Sequence, residues 1–254
     1  MEPSRFIRQM RRLTQKALAG TLDLLFPQAC IFCDGDRKGG GDFLCPSCRE
    51  DIAWIESPFC YSCGIPAEIE YDYPTPEFEC ALCRNKPFCF NRARSLGYYQ
   101  SVLKELIHHF KYAKQLGVMK EITPLIERFF EQSSENWSGV YVSHVPLHFR
   151  KMKERGFDQS FLVAKQVAAV LGEPLAAGLL RRVAETPPQA KMSRSDRVKN
   201  VSGAFEVNRP DQVQEKNILL VDDVFTTGST VNEASRVLKR AGADKVYVFT
   251  LARA

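Results

Sequence analysis

The chain has 254 residues, 44% of them apolar, enough to bury a core in one large domain or two smaller ones. No stretch reaches the roughly 18 apolar residues that cross a membrane, and Leu24-Leu25-Phe26 is too short for a signal-peptide core, so a cytoplasmic protein is expected. The formal charge is +5 and unevenly placed: residues 51–83 hold seven acids and no Lys or Arg, whereas residues 181–199 hold six bases and two acids. Positive charge gathered in C-terminal loops suits an anionic small ligand at least as well as nucleic acid.

Residues 4–25 carry Phe6, Met10, Leu13, Ala17 and Leu24 close to one stripe, with Arg5, Arg8, Arg12 and Lys16 off it. This predicts an amphipathic N-terminal helix within residues 1–26, packed on the rest of the protein or lying on a membrane surface.

All nine cysteines follow, between positions 30 and 89, in a region (27–90) rich in Pro and containing Gly39-Gly40-Gly41. So little regular structure calls for a staple. Eight of the cysteines form Cys-x-x-Cys pairs: Cys30 with Cys33, Cys45 with Cys48, Cys60 with Cys63, and Cys80 with Cys83. Eleven residues separate the first two pairs and 16 the last two, the spacing of zinc ribbons in which four thiolates hold a tetrahedral Zn²⁺. Two structural Zn²⁺ ions are expected. Disulfides are disfavoured in a cytoplasmic protein, and paired spacing favours zinc over an iron–sulfur cluster. Tandem and interleaved pairings of the four knuckles both remain open, although tandem closure needs shorter loops. Metal removal is expected to unfold this region while the C-terminal domain persists.

From about residue 91 the texture changes. A strand is predicted over 94–99, helices over 101–111 and 118–131, and a strand over 140–145. A basic loop follows, then a helix capped by Asp158 and stopped by Gly172. The runs Ile218-Leu219-Leu220-Val221 and Val246-Tyr247-Val248-Phe249 are apolar on successive residues, which predicts strands of a parallel sheet covered on both faces. The fold class is therefore α/β, a Rossmann-like parallel sheet over 91–254 preceded by a small zinc-ribbon domain.

The most informative segment begins at Ile218: four apolar residues, Asp222-Asp223, two more apolar residues, then Thr226-Thr227-Gly228-Ser229-Thr230 and a helix. Ligands of α/β folds bind beyond the carboxyl ends of parallel strands. Gly228 permits a tight turn, and unpaired N–H groups at the next helix start attract anions. Adjacent carboxylates suit sugar hydroxyls or a Mg²⁺ bridging ribose and pyrophosphate oxygens.

This segment resembles the type I phosphoribosyltransferase signature. The resemblance implies that Asp222 and Asp223 hold the ribose hydroxyls of 5-phosphoribosyl-1-pyrophosphate (PRPP), bound with Mg²⁺, and that residues 226–230 cradle its 5′-phosphate. Thr226 stands where purine-salvage members carry an acid that works on the base; Thr is found in members acting on orotate. No catalytic base can be assigned from the loop.

Lys153-Glu154-Arg155-Gly156-Phe157-Asp158-Gln159 resembles the Arg-Gly-Phe-Asn-Gln motif of the ComF family, with Asp158 in the Asn place. Phe110-Lys111-Tyr112 resembles that family's Leu-Lys-Tyr motif, and Gln189, Arg197 and Asn200 its Gln…Arg…Asn segment. The likeness covers about residues 27–254. It implies a double zinc ribbon joined to a phosphoribosyltransferase domain, with a link to DNA uptake in natural competence and an acceptor that no motif fixes. Lys153 and Arg155 would pair with pyrophosphate, and 185–203 would form a flap closing over the substrate. His148 is a candidate for the site's rim. Three functions stay open: a transferase; a PRPP-sensing module for single-stranded DNA or DNA-processing proteins; a membrane-associated factor anchored through residues 4–25.

Overall fold

The computed structural model describes residues 29–37, 42–67, 78–112, 115–184 and 201–254. The expected helix over 4–25, the glycine run 39–41, and Gln189, Arg197 and Asn200 of the expected flap lie outside the described residues. The chain divides into two compact units, Met1–Asp51 and Ile52–Ala254.

In the first unit the turn after Cys30 is closed by Cys30 N donating to Gly35 O (2.8 Å) and Asp34 N donating to Cys30 O (3.0 Å). Cys45 then precedes a short helix, α1 (Pro46–Glu50). Leu44 and three of the four cysteines, all but Cys33, are buried.

The second unit opens with a repeat of that pattern. Cys60 N donates to Ile65 O (2.7 Å) and Gly64 N to Cys60 O (2.8 Å), and Cys80 precedes α2 (Ala81–Asn85). There follow β1 (Arg92–Tyr98), α3 (Ser101–Tyr112), α4 (Met119–Gln132), β2 (Val140–His144), α5 (Phe149–Arg155), α6 (Gln159–Leu171), β3 (Leu180–Arg182), β4 (Phe205–Val207), β5 (Asn217–Phe225), α7 (Ser229–Arg240) and β6 (Lys245–Arg253).

Four strands form one parallel sheet in the order β1-β6-β5-β2. Its two central strands are the two apolar runs, and the period of two explains why both faces need cover. Ile218, Leu220, Val246 and Val248 point to one face and pack with Val231, Ala234 and Leu238 of α7. On the opposite face Phe249 meets Phe129 and Phe130 of α4, ring centroids 4.9 and 5.0 Å apart. Side chains of this kind each contribute about 1.5–3 kcal/mol on full burial, so the sheet centre dominates the unit's stability.

Asp158 caps α6 by accepting from Phe161 N, and Gly172 ends it in the left-handed region, as the sequence predicts. The stretch expected as a basic loop instead contains helix α5. Arg, Lys, Met and Glu are strong helix formers, and Gly156, at φ 86°, closes the helix by donating from its N–H to Met152 O (2.7 Å). The antiparallel pair β3–β4 is also absent from the sequence reading; it flanks residues 183–204, pairing Leu180 with Val207 and Arg182 with Phe205. Among the described residues no helix is long and apolar enough to cross a membrane.

Candidate functional site

Asp222 and Asp223 lie near the carboxyl end of β5, and two separate stretches of chain converge on them. From the end of α3, Lys111 Nζ reaches Asp223 Oδ1 at 2.9 Å. From the start of α6, Gln159 Nε2 donates to Asp223 Oδ2 (2.8 Å) and Ser160 Oγ to Asp222 Oδ1 (2.9 Å). Asp223 N also donates to Asp222 Oδ1 (2.9 Å). Gln159, Ser160 and Asp223 are all buried.

The electrostatics follow from this crowding. Burial pushes the Asp222 carboxyl up to about 7, helped by the charge of Asp223 and opposed by bonds from Asp223 N and Ser160 and by Lys111. Burial works against the Lys111 ammonium, but the carboxylates of Asp223 and Asp222 outweigh it and hold its pKa above the ordinary value. Burial lowers the Arg182 guanidinium on β3, and Asp222 partly offsets this. Carboxylate oxygens held in this way can accept from hydroxyl donors.

The residues of the motifs at 110–112 and 153–159 interlock in alternation. Phe110 packs on Phe157 (centroids 5.5 Å apart), Lys111 faces Asp223, and Tyr112 lies 5.5 Å beneath the Arg155 guanidinium. Arg155 also donates to Gln159 Oε1, so it orients the amide that holds Asp223. Lys153, two positions earlier on α5, is exposed. Asp158 accepts from Leu147 N (2.9 Å) and Phe161 N (3.1 Å), fixing the turn after β2 to the start of α6. His148 is buried and sits at the N-cap of α5.

Beyond the acids the chain enters residues 226–230. Thr227 Oγ1 and Ser229 Oγ are 2.8 Å apart, and Gly228 O accepts from Asn232 N (2.8 Å) at the start of α7. Gly228 has φ 75°, and a Cβ there would stand 2.5 Å from the Phe225 ring and 3.1 Å from Phe88. Both the left-handed backbone and the close approach demand glycine. Gly203 donates to Glu233 Oε1 on α7 (2.7 Å), which ties Gly203 to the loop's own helix.

The cysteines form two tandem sets, Cys30, Cys33, Cys45, Cys48 and Cys60, Cys63, Cys80, Cys83, with all ligand atoms of a set within 4.8 Å of one another. The interleaved pairing is thereby excluded. Tetrahedral Zn–S bonds of about 2.3 Å place sulfurs about 3.8 Å apart, and Cys33 Sγ to Cys45 Sγ and Cys63 Sγ to Cys80 Sγ both measure 3.8 Å. The thiols compete for ionisation: burial, then neighbouring sulfurs, pushes Cys48 and Cys83 up, while bonds from Ser47 and from Cys48 N draw Cys45 down to about 6. Four crowded sulfurs ionise together only around a cation, so both sets fit Zn²⁺.

The second set is wired into the sheet. Ala93 N donates to Ser62 O (2.8 Å), and Arg94 Nη1 to Tyr61 O (3.0 Å) while its other side engages Glu135 (2.5 Å). At the end of β6, Arg253 Nη1 donates to Cys63 O (2.6 Å), with Nη2 3.7 Å from Cys63 Sγ and the guanidinium 4.4 Å over the Phe225 ring. Sequence reasoning missed Gln159 and Ser160 as partners of the acids, and Arg253 altogether. Gln159 closes the motif that begins at Lys153 and Ser160 follows it, the one signal that pointed to the first two.

Comparison with known proteins agrees with this architecture. The family described as "Double zinc ribbon domain" matches residues 21–84, and the "Phosphoribosyl transferase domain" family matches residues 158–254. The chain is 30% identical over 230 residues to "Competence protein F" of Haemophilus influenzae, covering 89% of this chain and 96% of that protein. It is 32% identical over 237 residues to "DNA utilization protein YhgH" of Salmonella typhimurium (91% and 99% covered), and 28% identical over 226 residues to "Competence protein ComFC" of Bacillus subtilis (83% and 84%). With a double zinc ribbon ahead of a phosphoribosyltransferase domain, the chain belongs to the ComF family.

Proposed function

We propose that the second unit is a phosphoribosyltransferase that binds PRPP with Mg²⁺ and passes its phosphoribosyl group to a nitrogenous acceptor. The observation that carries this is the convergence of Lys111, Gln159 and Ser160 on Asp222 and Asp223, immediately ahead of the loop 226–230. In this reading the two carboxylates accept from the ribose 2′ and 3′ hydroxyls, and Lys111 and Gln159 hold Asp223 in place to do so. The N–H groups and hydroxyls of Thr226, Thr227, Gly228, Ser229 and Thr230 take the 5′-phosphate. Lys153 and Arg155 neutralise the departing pyrophosphate, and Mg²⁺, bound with PRPP, would supply further charge stabilisation. The chemistry asks the protein for positioning and charge stabilisation: the acceptor nitrogen forms a bond to C1 as the C1–oxygen bond breaks and pyrophosphate leaves with the electron pair. Zn²⁺ is structural, and the protein acts in the cytoplasm. The names of its relatives connect it to DNA utilisation and competence.

The presence of Thr226, which supplies no carboxylate, favours one second reading: a PRPP-responsive module that handles single-stranded DNA or a DNA-processing protein without turnover. Calorimetric titration of the zinc-loaded chain with PRPP tests both. Magnesium-dependent binding, abolished in Asp222→Ala plus Asp223→Ala, is expected. Binding unchanged in that double variant would remove the assignment, and donor-dependent DNA affinity without pyrophosphate release would select the second reading.

A further inference from the structure

The acid pair Asp222 and Asp223 comes with a counter-ion of its own. We propose that Lys111 takes the place of a divalent cation at this pair, so that the ribose half of the donor binds without metal and Mg²⁺ is confined to the pyrophosphate half. The inference rests on the phosphoribosyl-transfer reading above and specifies which half of that site the metal serves.

Lys111 sits in the last turn of α3, where the unpaired carbonyls of a helix end favour a cation. Its neighbour Phe110 is fully buried and packs on Phe157, which fixes that helix end. The Lys111 and Asp223 side chains are only 16% and 10% exposed, and Nζ stands 2.9 Å from Oδ1. Solvent and salt screen such a pair poorly. Burial works against the ammonium, but the two carboxylates together outweigh it, so the group keeps its charge. Arg182 of β3 also feels the Asp222 carboxylate.

This arrangement suits hydroxyls better than a metal. Each carboxylate oxygen has two acceptor positions. Asp223 gives one position of Oδ1 to Lys111 and one of Oδ2 to the Gln159 amide, leaving a second on each oxygen. Asp222 takes Ser160 Oγ and Asp223 N on Oδ1, so neither of these donors uses Oδ2. A ribose hydroxyl needs one such position and brings no charge. Mg²⁺ demands oxygens at about 2.0–2.1 Å in near-octahedral order. Bonded to Asp223 Oδ1, it would stand no more than about 5 Å from the Lys111 nitrogen, dication against ammonium. The oxygens of pyrophosphate carry several negative charges of their own and can hold the ion without the acids. Charge from the protein thus serves the ribose, and when pyrophosphate departs, the acids and Lys111 still hold the ribosyl group.

The probes are ribose 5-phosphate, which lacks pyrophosphate, and Mn²⁺, a paramagnetic stand-in for Mg²⁺. Both are used on the zinc-loaded full chain in resin-treated buffer, so that no chelator strips the zinc. By calorimetry the wild type is expected to bind ribose 5-phosphate equally, within about twofold, with and without Mg²⁺, while PRPP loses about tenfold or more without it. By electron paramagnetic resonance, ligand-free Lys111→Met should bind a Mn²⁺ that the wild type does not, and adding Asp223→Asn should remove it. A lysine that merely supports the fold would give no such gain. Lys111→Gln, which can still donate to Asp223 but carries no charge, gives the same readout if Lys111→Met folds poorly. Equal effects of Mg²⁺ on the two ligands would overturn the role of Lys111 and leave the transferase reading standing. So would a wild type that binds PRPP but not ribose 5-phosphate, an Asp223-dependent Mn²⁺ site already present in the wild type, or no such site in either neutral variant. No PRPP binding by the folded wild type would remove both.

Discussion

The two cysteine sets share one spacing rule and one knuckle turn, yet they differ in what leans on them. In the first, within Met1–Asp51, the residue after the second cysteine is Asp34, which adopts the left-handed φ of 58°. In the second, within Ile52–Ala254, the same place is taken by Gly64 at φ 70°, where a Cβ would stand 2.6 Å from Ala93 O. An aspartate tolerates the left-handed turn; it cannot tolerate a strand backbone at that distance. One residue type therefore records that the second knuckle is pressed against β1, with Arg94 and Arg253 donating to its carbonyls. The same four-cysteine design serves the first unit as a staple and, in the second, also braces β1 and β6.

The sharpest way to break this comparison is to remove one thiolate from each set. Structural zinc contributes on the order of 10 kcal/mol to folding, and folded domains have only about 5–15 kcal/mol in hand. Cys63→Ser loosens the support of Arg253 and leaves the buried Arg94, paired with Glu135, without its ribbon partners. Calorimetry should show the melting midpoint of the second unit falling by roughly 10 °C. Cys33→Ser should leave that midpoint within about 2 °C while lowering zinc content by one equivalent. This differs from the sequence-based expectation that the whole Cys-rich region unfolds apart from the sheet. Equal shifts in the two variants would erase the distinction between the sets.

A smaller perturbation probes the contact itself. Gly64→Ala adds a Cβ 2.6 Å from a backbone oxygen that belongs to a sheet strand, in a left-handed turn. The cost should be about 1–3 kcal/mol, visible as a drop of several degrees in the second unit and as weaker zinc retention. Full wild-type stability would mean that the ribbon and β1 are not pressed together.

How much of this was legible beforehand divides along physical lines. The parallel sheet was legible because Ile218–Val221 and Val246–Phe249 are apolar on successive residues, which only a strand covered on both faces explains. The acids and the phosphate loop were legible because local chemistry, two carboxylates and a Thr/Gly/Ser run, sits in consecutive positions. Helix α5 was not, because its charged residues show no apolar stripe and it buries none of them. Lys111, Gln159, Ser160 and Arg253 escaped assignment for a common reason: each acts through a partner 62 to 190 residues away, and no periodicity encodes such a pairing. The second set's attachment to the sheet was hidden too, since spacing specifies four sulfurs and nothing about what surrounds them.

Proton linkage at the acids sharpens the comparison further. The folded-state pKa of Asp222, raised to about 7 by burial and by Asp223, lies above its unfolded value of 3.8. The neutral form thus contributes stability that is full below about 3.8 and is lost as pH rises through about 7. Hydroxyl donors of the ribose require the ionised form, so PRPP affinity should rise from pH 6 to 8 and flatten above, with no more than about tenfold per pH unit. Titrations in two buffers of different ionisation enthalpy should show proton release below pH 7. The profile should persist in Cys33→Ser. A flat profile in the wild type would place the binding charge on a group other than Asp222.

The smallest effect is the most discriminating, because it makes the two knuckles alike at this position. Asp34→Gly puts into the first set the residue the second requires. Glycine occupies the left-handed region without steric penalty, which favours the variant, but it also gains freedom in the unfolded chain, which opposes it. Removing a carboxylate close to four thiolates adds a small favourable contribution at an exposed position. The net change in the first unit's stability should lie within about 0.5 kcal/mol of zero, several-fold less than Gly64→Ala costs the second. Zinc competition with a chromophoric chelator would resolve this: near-equal affinities for wild type and Asp34→Gly are expected. A loss as large as that of Gly64→Ala would mean that the Asp34 side chain itself supports the first knuckle, and that the two sets differ by specific contacts in both rather than by the nearness of a strand to one.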